Sequence, residues 1–173
     1  MVSRKDLNIS GFYSTYINAL QEDDLQEALA KNTRRFRKLL KQIPKKKIDY
    51  AYAEGKWTIK EVLQHIIDAE RVFVYRALTF ARQDAAELPG FDENNWAGAS
   101  KATTRSWKDL VNEFKSLRTA TELFFTSLSQ EQLTLSGTAN KNKIAVVTLG
   151  FLCAGHAAHH MRILKERYLA KKA

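Results

Sequence analysis

The chain has 173 residues, a length typical of one domain, and we expect residues 1–173 to form a single domain. Hydrophobic residues make up 45% and charged residues 27% of the sequence, which excludes disordered, collagen-like and mucin-like chains. The 7 glycines and 2 prolines are too few for the turns of an all-β fold, so the composition favours long helices. The single cysteine, Cys153, excludes an internal disulfide framework and a cysteine-rich zinc site.

Two segments bear on cellular location. Residues 1–13 contain no apolar stretch that could serve as the core of a signal peptide. Ile144–Met161 carries no formal charge over 18 residues, but three histidines, a threonine and several small residues keep its hydropathy modest. Because a membrane span needs about 20 strongly apolar residues, this segment predicts a buried helix instead. We therefore expect a cytoplasmic protein without a membrane span.

The net charge of +9 comes from one local feature. Nine basic residues and no acidic residue lie between Lys31 and Lys47, a stretch that we call the basic segment. Such a stretch is typical of a surface that binds nucleic acid or another polyanion. The alternative is the solvated face of a helix whose last turn is rich in cations. We favour the solvated face, because Phe36 is the only aromatic residue among the charges.

Five helical segments are predicted, and the first is short, Gly11–Leu20. The second begins after a cap at Asp23 or Asp24 and ends at Ile43, where Pro44 stops it. Its apolar residues repeat with the period of a helix.

The third helix begins at Trp57-Thr58 and ends near Arg82. Thr58 is a typical N-cap, and Glu61 three residues later completes a capping box. Apolar side chains cover most of the circumference of this helix, which predicts a central position in the fold.

Two polar connections flank the fourth helix, Thr104–Leu128. The first, Gln83–Thr103, is long for a compact domain, and such loops are usually functional or mobile. The second, Ser129–Asn142, leads into the fifth helix, Lys143–Leu169. The four long helices predict an all-α fold, a four-helix bundle with a short extra N-terminal helix and a long connecting loop. The residues expected to point inward from the fourth helix are Trp107, Leu110, Phe114, Leu117, Thr121, Phe124 and Phe125.

Two of the four histidines fall on an inward stripe of the last helix. Cys153, His156, His160 and Ile163 step by 3, 4 and 3 residues, as positions on one helix face do. The i, i+4 spacing of His156 and His160 places both rings on the same side, which is a common arrangement of metal ligands. His159 lies about 100° around the helix and should flank the stripe.

His65 can supply a third imidazole from the third helix. It shares a strip with Val62, Ala69 and Val72, so its ring can point into the bundle. Three neutral imidazoles suit a divalent transition metal such as zinc, nickel or iron, and three protein ligands leave a position open for water or substrate. The alternative is that these are buried, hydrogen-bonded histidines, since the spacing does not show that the two helices meet.

Several other residues are candidates for a role near the histidines. Glu61 and Asp68 each lie about one turn from His65, and either could accept a hydrogen bond from a ligand ring and fix its tautomer. The alternatives are the capping box for Glu61 and a surface charge for Asp68. We interpret Cys153 as a small buried thiol.

The aromatic and loop residues allow two interpretations. Trp57, Trp96 and Trp107 are more typical of core or loop anchors than of substrate platforms. Asp92, Glu93 and Trp96 would border a pocket mouth if the first polar connection folds over it.

Two stretches of the sequence resemble the DinB/YfiT-like superfamily. Residues 57–70, WTIKEVLQHIIDAE, are similar to its third-helix motif, a W-S/T opening followed by H-I/L-x-D-x-E. Residues 155–164, GHAAHHMRIL, are similar to its C-terminal H-x-x-H-H motif. Residues 91–96, FDENNW, are similar to a connecting loop of one branch. The resemblance spans most of the chain, and the two histidine motifs together are its most specific part.

The resemblance implies a four-helix bundle with up-down-down-up topology and a long crossover loop. It often also implies a homodimer. It implies that His65, His156 and His160 are metal ligands and that His159 is not. It implies an enzyme acting on a small-molecule substrate, either a metal-dependent hydrolase that activates water or an S-transferase. The S-transferases of the family use low-molecular-weight thiols such as bacillithiol, mycothiol or glutathione. The resemblance does not fix the substrate.

Two functional hypotheses from different classes follow. The first is a cytoplasmic metal-dependent enzyme of the DinB type, with catalytic residues unknown beyond the three metal-binding histidines. The second is a non-catalytic protein that binds a polyanion such as nucleic acid through the basic segment, with the metal structural or absent.

Overall fold

The computed structural model of the protein describes residues 2–7 and 11–170, apart from the side chain of Phe12. Its helices and strands, in chain order, are α1 Phe12–Ile17, α2 Leu25–Gln42, α3 Ile59–Ala81, α4 Glu93–Ala99, α5 Trp107–Ser127, α6 Gln130–Thr134, β1 Ser136–Ala139, β2 Asn142–Ala145 and α7 Val146–Ile163. Short 3-10 turns occupy Arg4–Asp6, Lys45–Lys47 and Ala102–Thr104. A π-helical turn, Leu164–Leu169, continues α7.

The four long helices, α2, α3, α5 and α7, form the predicted bundle. Both α2 and α3 pack on α5 and α7. Along α3 and α5, Lys60 hydrogen-bonds the carbonyl of Thr103 and Glu70 pairs with Arg118, so the residue numbers rise together and the helices are parallel.

The remaining two long helices also run parallel to each other. The Lys47 ammonium, in the 3-10 turn that follows α2, donates to the carbonyl of Tyr168, which lies after the end of α7. The α3–α7 contact is antiparallel, because the Tyr168 hydroxyl donates to the carbonyl of Trp57, before the start of α3. The order of directions is therefore up-down-down-up, as the resemblance implied.

The predicted capping signals set the starts of α2 and α3. The Asp24 carboxylate accepts from the backbone N–H of Glu27 at 2.8 Å. The Thr58 side chain accepts from the N–H of Glu61, and the Glu61 carboxylate accepts from the N–H of Thr58 at 2.7 Å, which is the predicted capping box. These caps satisfy backbone donors that the first turn of a helix leaves free.

The two polar connections contain more structure than expected. The first holds α4, capped by Asp92, and the second holds α6 and the β1–β2 hairpin. The hairpin turns at Asn140 and Lys141, whose φ angles of 49° and 63° fit a two-residue turn with left-handed backbone. Because β2 ends at Ala145, α7 begins at Val146 instead of the predicted Lys143. The N–H of Leu88 donates to the carbonyl of Thr138, which ties the first connection to the hairpin.

The apolar core has two parts with a polar layer between them. One part contains the first turns of α2 and α7 and the second half of α3, and the other contains the first half of α3 and the last turns of α2 and α7. Among the predicted inward residues of α5, Leu110, Phe114, Thr121 and Phe125 are buried, while Trp107, Leu117 and Phe124 are partly buried. The polar layer lies where the two parts meet and consists of Asn32, Glu70, Arg118 and Thr121.

The short helix α1 packs closely on α7, which is buried along most of its length. A Cβ atom at Gly155 would lie 2.5 Å from the backbone oxygen of Tyr16, so only glycine permits this approach. The contact brings the Tyr16 ring to the level of the histidines of α7. No helix among the described residues combines the length and apolar character that a membrane span requires.

Candidate metal centre

The structure brings together the three histidines that the sequence singled out. The Nε2 atom of His156 lies 3.0 Å from the Nε2 atom of His65 and 3.0 Å from that of His160. One potential ligand atom from each of the three rings lies within 4.8 Å of the others. Both His156 and His160 are buried, and His65 is half-buried. The contact between α3 and α7, which spacing could not predict, is what unites them.

All three imidazoles are held neutral by their surroundings. Burial lowers the pKa of His65 to about 4, although the Glu93 carboxylate acts in the opposite direction. Burial, together with the neighbouring imidazoles, holds the pKa of His156 and of His160 well below its usual value. Desolvation disfavours the charged form of a histidine, so near neutral pH each ring keeps a nitrogen lone pair for an acceptor role.

The arrangement of these nitrogens fits a bound cation better than it fits hydrogen bonds. A neutral imidazole nitrogen carries one proton or one lone pair, so Nε2 of His156 cannot complete full hydrogen bonds with both neighbours. Zinc–nitrogen bonds of about 2.0–2.1 Å in tetrahedral geometry place ligand nitrogens about 3.4 Å apart. The two separations from Nε2 of His156, 3.0 Å each, are close to this value, and all three ligand atoms lie within 4.8 Å of one another. His65, His156 and His160 therefore fit a divalent transition metal.

Aromatic contacts fix the orientation of the histidine rings. The Trp57 ring lies 4.8 Å from the His65 ring, centroid to centroid. Phe73 and Tyr16 contact His156 edge-on at 5.8 and 5.2 Å. Rings packed in this way lose little rotamer freedom when they bind a ligand, which preorganises the site.

A cavity of about 540 Å³ opens beside the three histidines. Its volume is within the range of small-molecule sites, and its walls combine aromatic rings with a few polar groups. Residues from α1, α3, α7, the first polar connection, the hairpin and the segment before α3 line it, among them Tyr16, Trp57, Phe73, Arg76, Glu93 and His159.

His159 flanks the histidine stripe, as predicted. Its ring is half-buried, contacts Tyr16 edge-on at 5.0 Å and lies 5.2 Å from the His160 ring. Its Nδ1 atom is buried without a hydrogen-bond partner among the described residues. Burial also raises the pKa of Tyr16 to about 12, with a contribution from Glu93, so this phenol keeps its proton at neutral pH.

Neither Glu61 nor Asp68 forms a hydrogen bond with an imidazole in the described structure. Glu61 also accepts a hydrogen bond from the Thr58 hydroxyl at 2.8 Å, so its carboxylate is occupied by the capping box. Asp68 accepts from the Gln64 side chain at 2.9 Å and pairs with Arg71. Of the alternatives considered for Glu61, the capping box is therefore the one observed.

The remaining sequence candidates take different positions. Cys153 is buried, and burial raises the pKa of its thiol well above the usual value, as expected of a structural cysteine. Trp57 lines the cavity. This position suits a substrate platform better than the anchor role that we favoured from the sequence. Glu93 also lines it, whereas Trp96 is 44% exposed and packs on Phe91 at 4.7 Å.

Sequence reasoning missed the polar layer beside the site. The Arg118 side chain is fully buried and donates to the Glu70 carboxylate at 2.6 and 3.1 Å. It also donates to the carbonyl of Cys153, and the Thr121 hydroxyl donates to Glu70 at 2.7 Å. Glu70, the final acid of the third-helix motif, thus binds the buried Arg118 of α5. Arg118 in turn contacts α7 at Cys153, one turn before His156.

The basic segment lies away from the cavity, on the outer face of α2 and the turn after it. Lys31 pairs with Glu27, and Arg35 pairs with Glu22. Six of its cationic side chains are exposed and form no ion pair with the described residues: Arg34, Arg37, Lys38, Lys41, Lys45 and Lys46.

Comparisons with known proteins agree with this architecture. Among solved structures, the chain is similar to YfiT from Bacillus subtilis, described as a probable metal-dependent hydrolase with an unusual four-helix bundle topology. The TM-score is 0.67 at 18% sequence identity, over 92% of this chain and 89% of that one, which shows a shared fold. No curated protein sequence matches the chain significantly. The family model of the DinB superfamily matches residues 28–164, and the chain therefore belongs to the DinB superfamily.

Proposed function

We propose that the protein is an enzyme whose His65, His156 and His160 bind a divalent transition metal, zinc, nickel or iron, and that it hydrolyses a small-molecule substrate. The observation that carries the proposal is the convergence of three neutral imidazole nitrogens beside a cavity. The likeness to YfiT, a probable metal-dependent hydrolase, supports it. A metal with an open coordination position lowers the pKa of bound water or holds a thiol as the thiolate.

The residues around the cavity have separate roles in this proposal. Trp57 and Phe73 pack against the His65 and His156 rings and hold them in place. The carboxylate of Glu93 lies on the cavity wall, where a bound substrate can reach it. A group of this kind is suited to general-base work on a substrate or water.

Thiol transfer is the alternative reaction at the same three histidines. In that case a low-molecular-weight thiol would occupy the open position in place of water.

The homodimer, the cytoplasmic location and the single domain stay predictions. Light scattering of the purified protein measures the oligomeric state directly.

A substrate screen with metal-reconstituted protein tests the enzymatic proposal. Hydrolysis is assayed with ester and amide panels, and thiol transfer with an electrophile plus a low-molecular-weight thiol. We expect turnover that a chelator abolishes, that added metal restores and that His156→Ala lacks. Turnover that survives both the chelator and His156→Ala would contradict the proposal.

Polyanion binding through the basic segment is the second candidate function. It is supported by the six exposed cationic side chains that have no acidic partner among the described residues. These side chains lie outside the cavity, so the two functions need different surfaces and can be separated by substitution.

A further inference from the structure

Three cationic side chains are buried in the described structure, and two of them have a carboxylate partner. Lys60 pairs with Asp49 at 3.0 Å, and Arg118 pairs with Glu70 at 2.6 Å. Arg76 is only 3% exposed, yet it forms no ion pair with any described residue. A buried charge without a partner is costly, so its persistence needs an explanation.

Arg76 lies on the wall of the same cavity as the three histidines. Its one hydrogen bond to the described protein is donated from Nη2 to the carbonyl of Pro89 at 2.8 Å. A guanidinium has five N–H donors in a planar fork, so most of its donor capacity is left for a ligand. Pro89 holds the fork in place because its segment is tied to the hairpin through Leu88.

The position of Arg76 along α3 sets its distance from the candidate metal centre. His65, Ala69, Phe73 and Arg76 follow each other on one face of the helix and all line the cavity. Arg76 follows His65 by 11 positions. This corresponds to a rise of about 16 Å between their Cα atoms along the helix axis. The cavity thus has three imidazoles at one end, an apolar middle and a cationic fork at the other end.

The acidic residue of the cavity lies toward the histidine end. Glu93 lines the cavity, and its neighbour Asn94 lines an adjoining pocket together with Trp57 and His160. Glu93 forms no ion pair with Arg76. The cavity is therefore polarised, with a carboxylate near the histidines and an unpaired guanidinium far from them.

We infer that the cavity accepts an elongated small molecule with an anionic group, a carboxylate or a phosphate, which Arg76 binds while the reacting group lies at the three histidines. Arginine binds both oxyanions in a bidentate manner. The inference rests on the proposed metal centre for the position of the reacting group. It names the substrate class and assigns Arg76 as the residue that determines it.

Ligands with a metal-binding head and a variable tail test this assignment. The probes are the monohydroxamates of adipic, suberic and sebacic acid, each compared with its uncharged methyl ester by calorimetry on the zinc-reconstituted full chain. Phosphonate-tailed analogues show whether phosphate or carboxylate is preferred. We expect at least one anionic probe to bind at least about tenfold more tightly than its ester, the gain typical of a charge-assisted hydrogen bond.

Substitutions assign any such preference to Arg76. Arg76→Met should reduce the affinity of the anionic probe to that of the ester, and Arg76→Lys should retain part of the preference. Arg82→Met, an exposed arginine at the end of the same helix, is the matched control and should change neither affinity. Circular dichroism verifies that each variant is folded, and the acid–ester comparison on the parent protein needs no variant.

The outcomes for Arg76 and for the metal centre are distinguishable. Equal affinities of acid and ester at every chain length, or a preference that survives in folded Arg76→Met, would overturn the inference while the ester still reports the metal centre. Affinities of acid and ester that are both unchanged in His156→Ala would instead overturn the metal-centre proposal on which the inference rests.

Discussion

The Nε2 atoms of His65 and His156 lie 3.0 Å apart across the contact between α3 and α7, although 91 positions separate them in the chain. This contact, together with His160 one turn further along α7, is the geometric basis of the proposed metal centre. Three features hold the imidazoles in this arrangement: the capped start of α3, the polar layer, and the close packing of aromatic rings around the imidazoles.

Glu61 should act on the helix and not on the metal centre. Glu61→Gln keeps a capping-box side chain, because glutamine also occurs at this position of the motif. We expect metal affinity, measured by chelator competition, to stay the same as in the parent. A carboxylate that orients a ligand ring would instead cost about 10–100-fold in affinity when substituted, and such a loss would contradict our assignment.

The buried pair of Arg118 and Glu70 should be essential for stability. Arg118→Met leaves the Glu70 carboxylate buried without its partner, and breaking such a pair costs about 3–5 kcal/mol in the free energy of unfolding. Urea unfolding followed by circular dichroism measures this loss. The combined Arg118→Met and Glu70→Leu variant should recover part of it, because both charges are then absent.

The exposed pair of Arg71 and Glu113 is the control for that measurement. Arg71 is half exposed, so Arg71→Met should cost less than about 1 kcal/mol. If Arg118→Met destabilised the protein no more than Arg71→Met does, the polar layer would not hold the bundle together as we describe.

Glu22 should make stability depend on pH in the acid range. Burial alone would raise the pKa of its carboxyl, but the hydrogen bonds and charge of Arg35 outweigh burial and lower it. A pKa that is lower in the folded state stabilises the fold above the unfolded-state pKa, and this contribution is lost as the pH falls through the folded-state pKa.

Comparing the unfolding free energies of the parent and of Glu22→Gln at several pH values checks the direction of this pH dependence. The difference in unfolding free energy should be present at about pH 7 and shrink toward about pH 3. Glu131→Gln, an exposed carboxylate without an ion pair among the described residues, should show no such trend. A difference for Glu22→Gln that grows on acidification would contradict the assignment.

The basic segment should behave as a solvated helix face. We compare duplex DNA binding by a triple Arg37, Lys38 and Lys41→Gln variant with a charge-matched triple variant at three exposed cations elsewhere: Arg82, Lys101 and Lys108. Each phosphate contact adds about −0.9 to the slope of log affinity against log salt. We expect weak binding that both variants change alike. A selective flattening of the slope in the first variant would support the polyanion function instead.

Local signals in the sequence predicted the long helices and two of the three histidines of the site. Thr58 with Glu61 marked the start of α3, and the i, i+4 spacing of His156 and His160 marked one face of α7. The approach of His65 could not be obtained in this way, because periodicity within one helix says nothing about which helices touch. That prediction came from the resemblance, and the structure supplies the contact.

The features that the sequence did not predict are short elements and buried charges. The two turn residues of the hairpin are Asn140 and Lys141, and both have left-handed backbone. The sequence has Asn-Lys where such turns usually have Asn-Gly, so the usual signal for a hairpin is absent. The pattern of apolar residues predicts that Arg76 and Arg118 lie on the surface, since charged side chains are rarely buried. Their burial could be recognised only from the structure, which shows that Arg118 pairs with Glu70 and that Arg76 forms no ion pair with the described residues.

Elemental analysis of untagged protein tests the central claim most directly, because an affinity tag rich in histidine would bind metal itself. We predict about one divalent transition metal ion per chain, its loss in His156→Ala with helicity intact, and its retention in His159→Ala. A folded His156→Ala variant that carries as much metal as the parent would contradict the assignment of the three histidines.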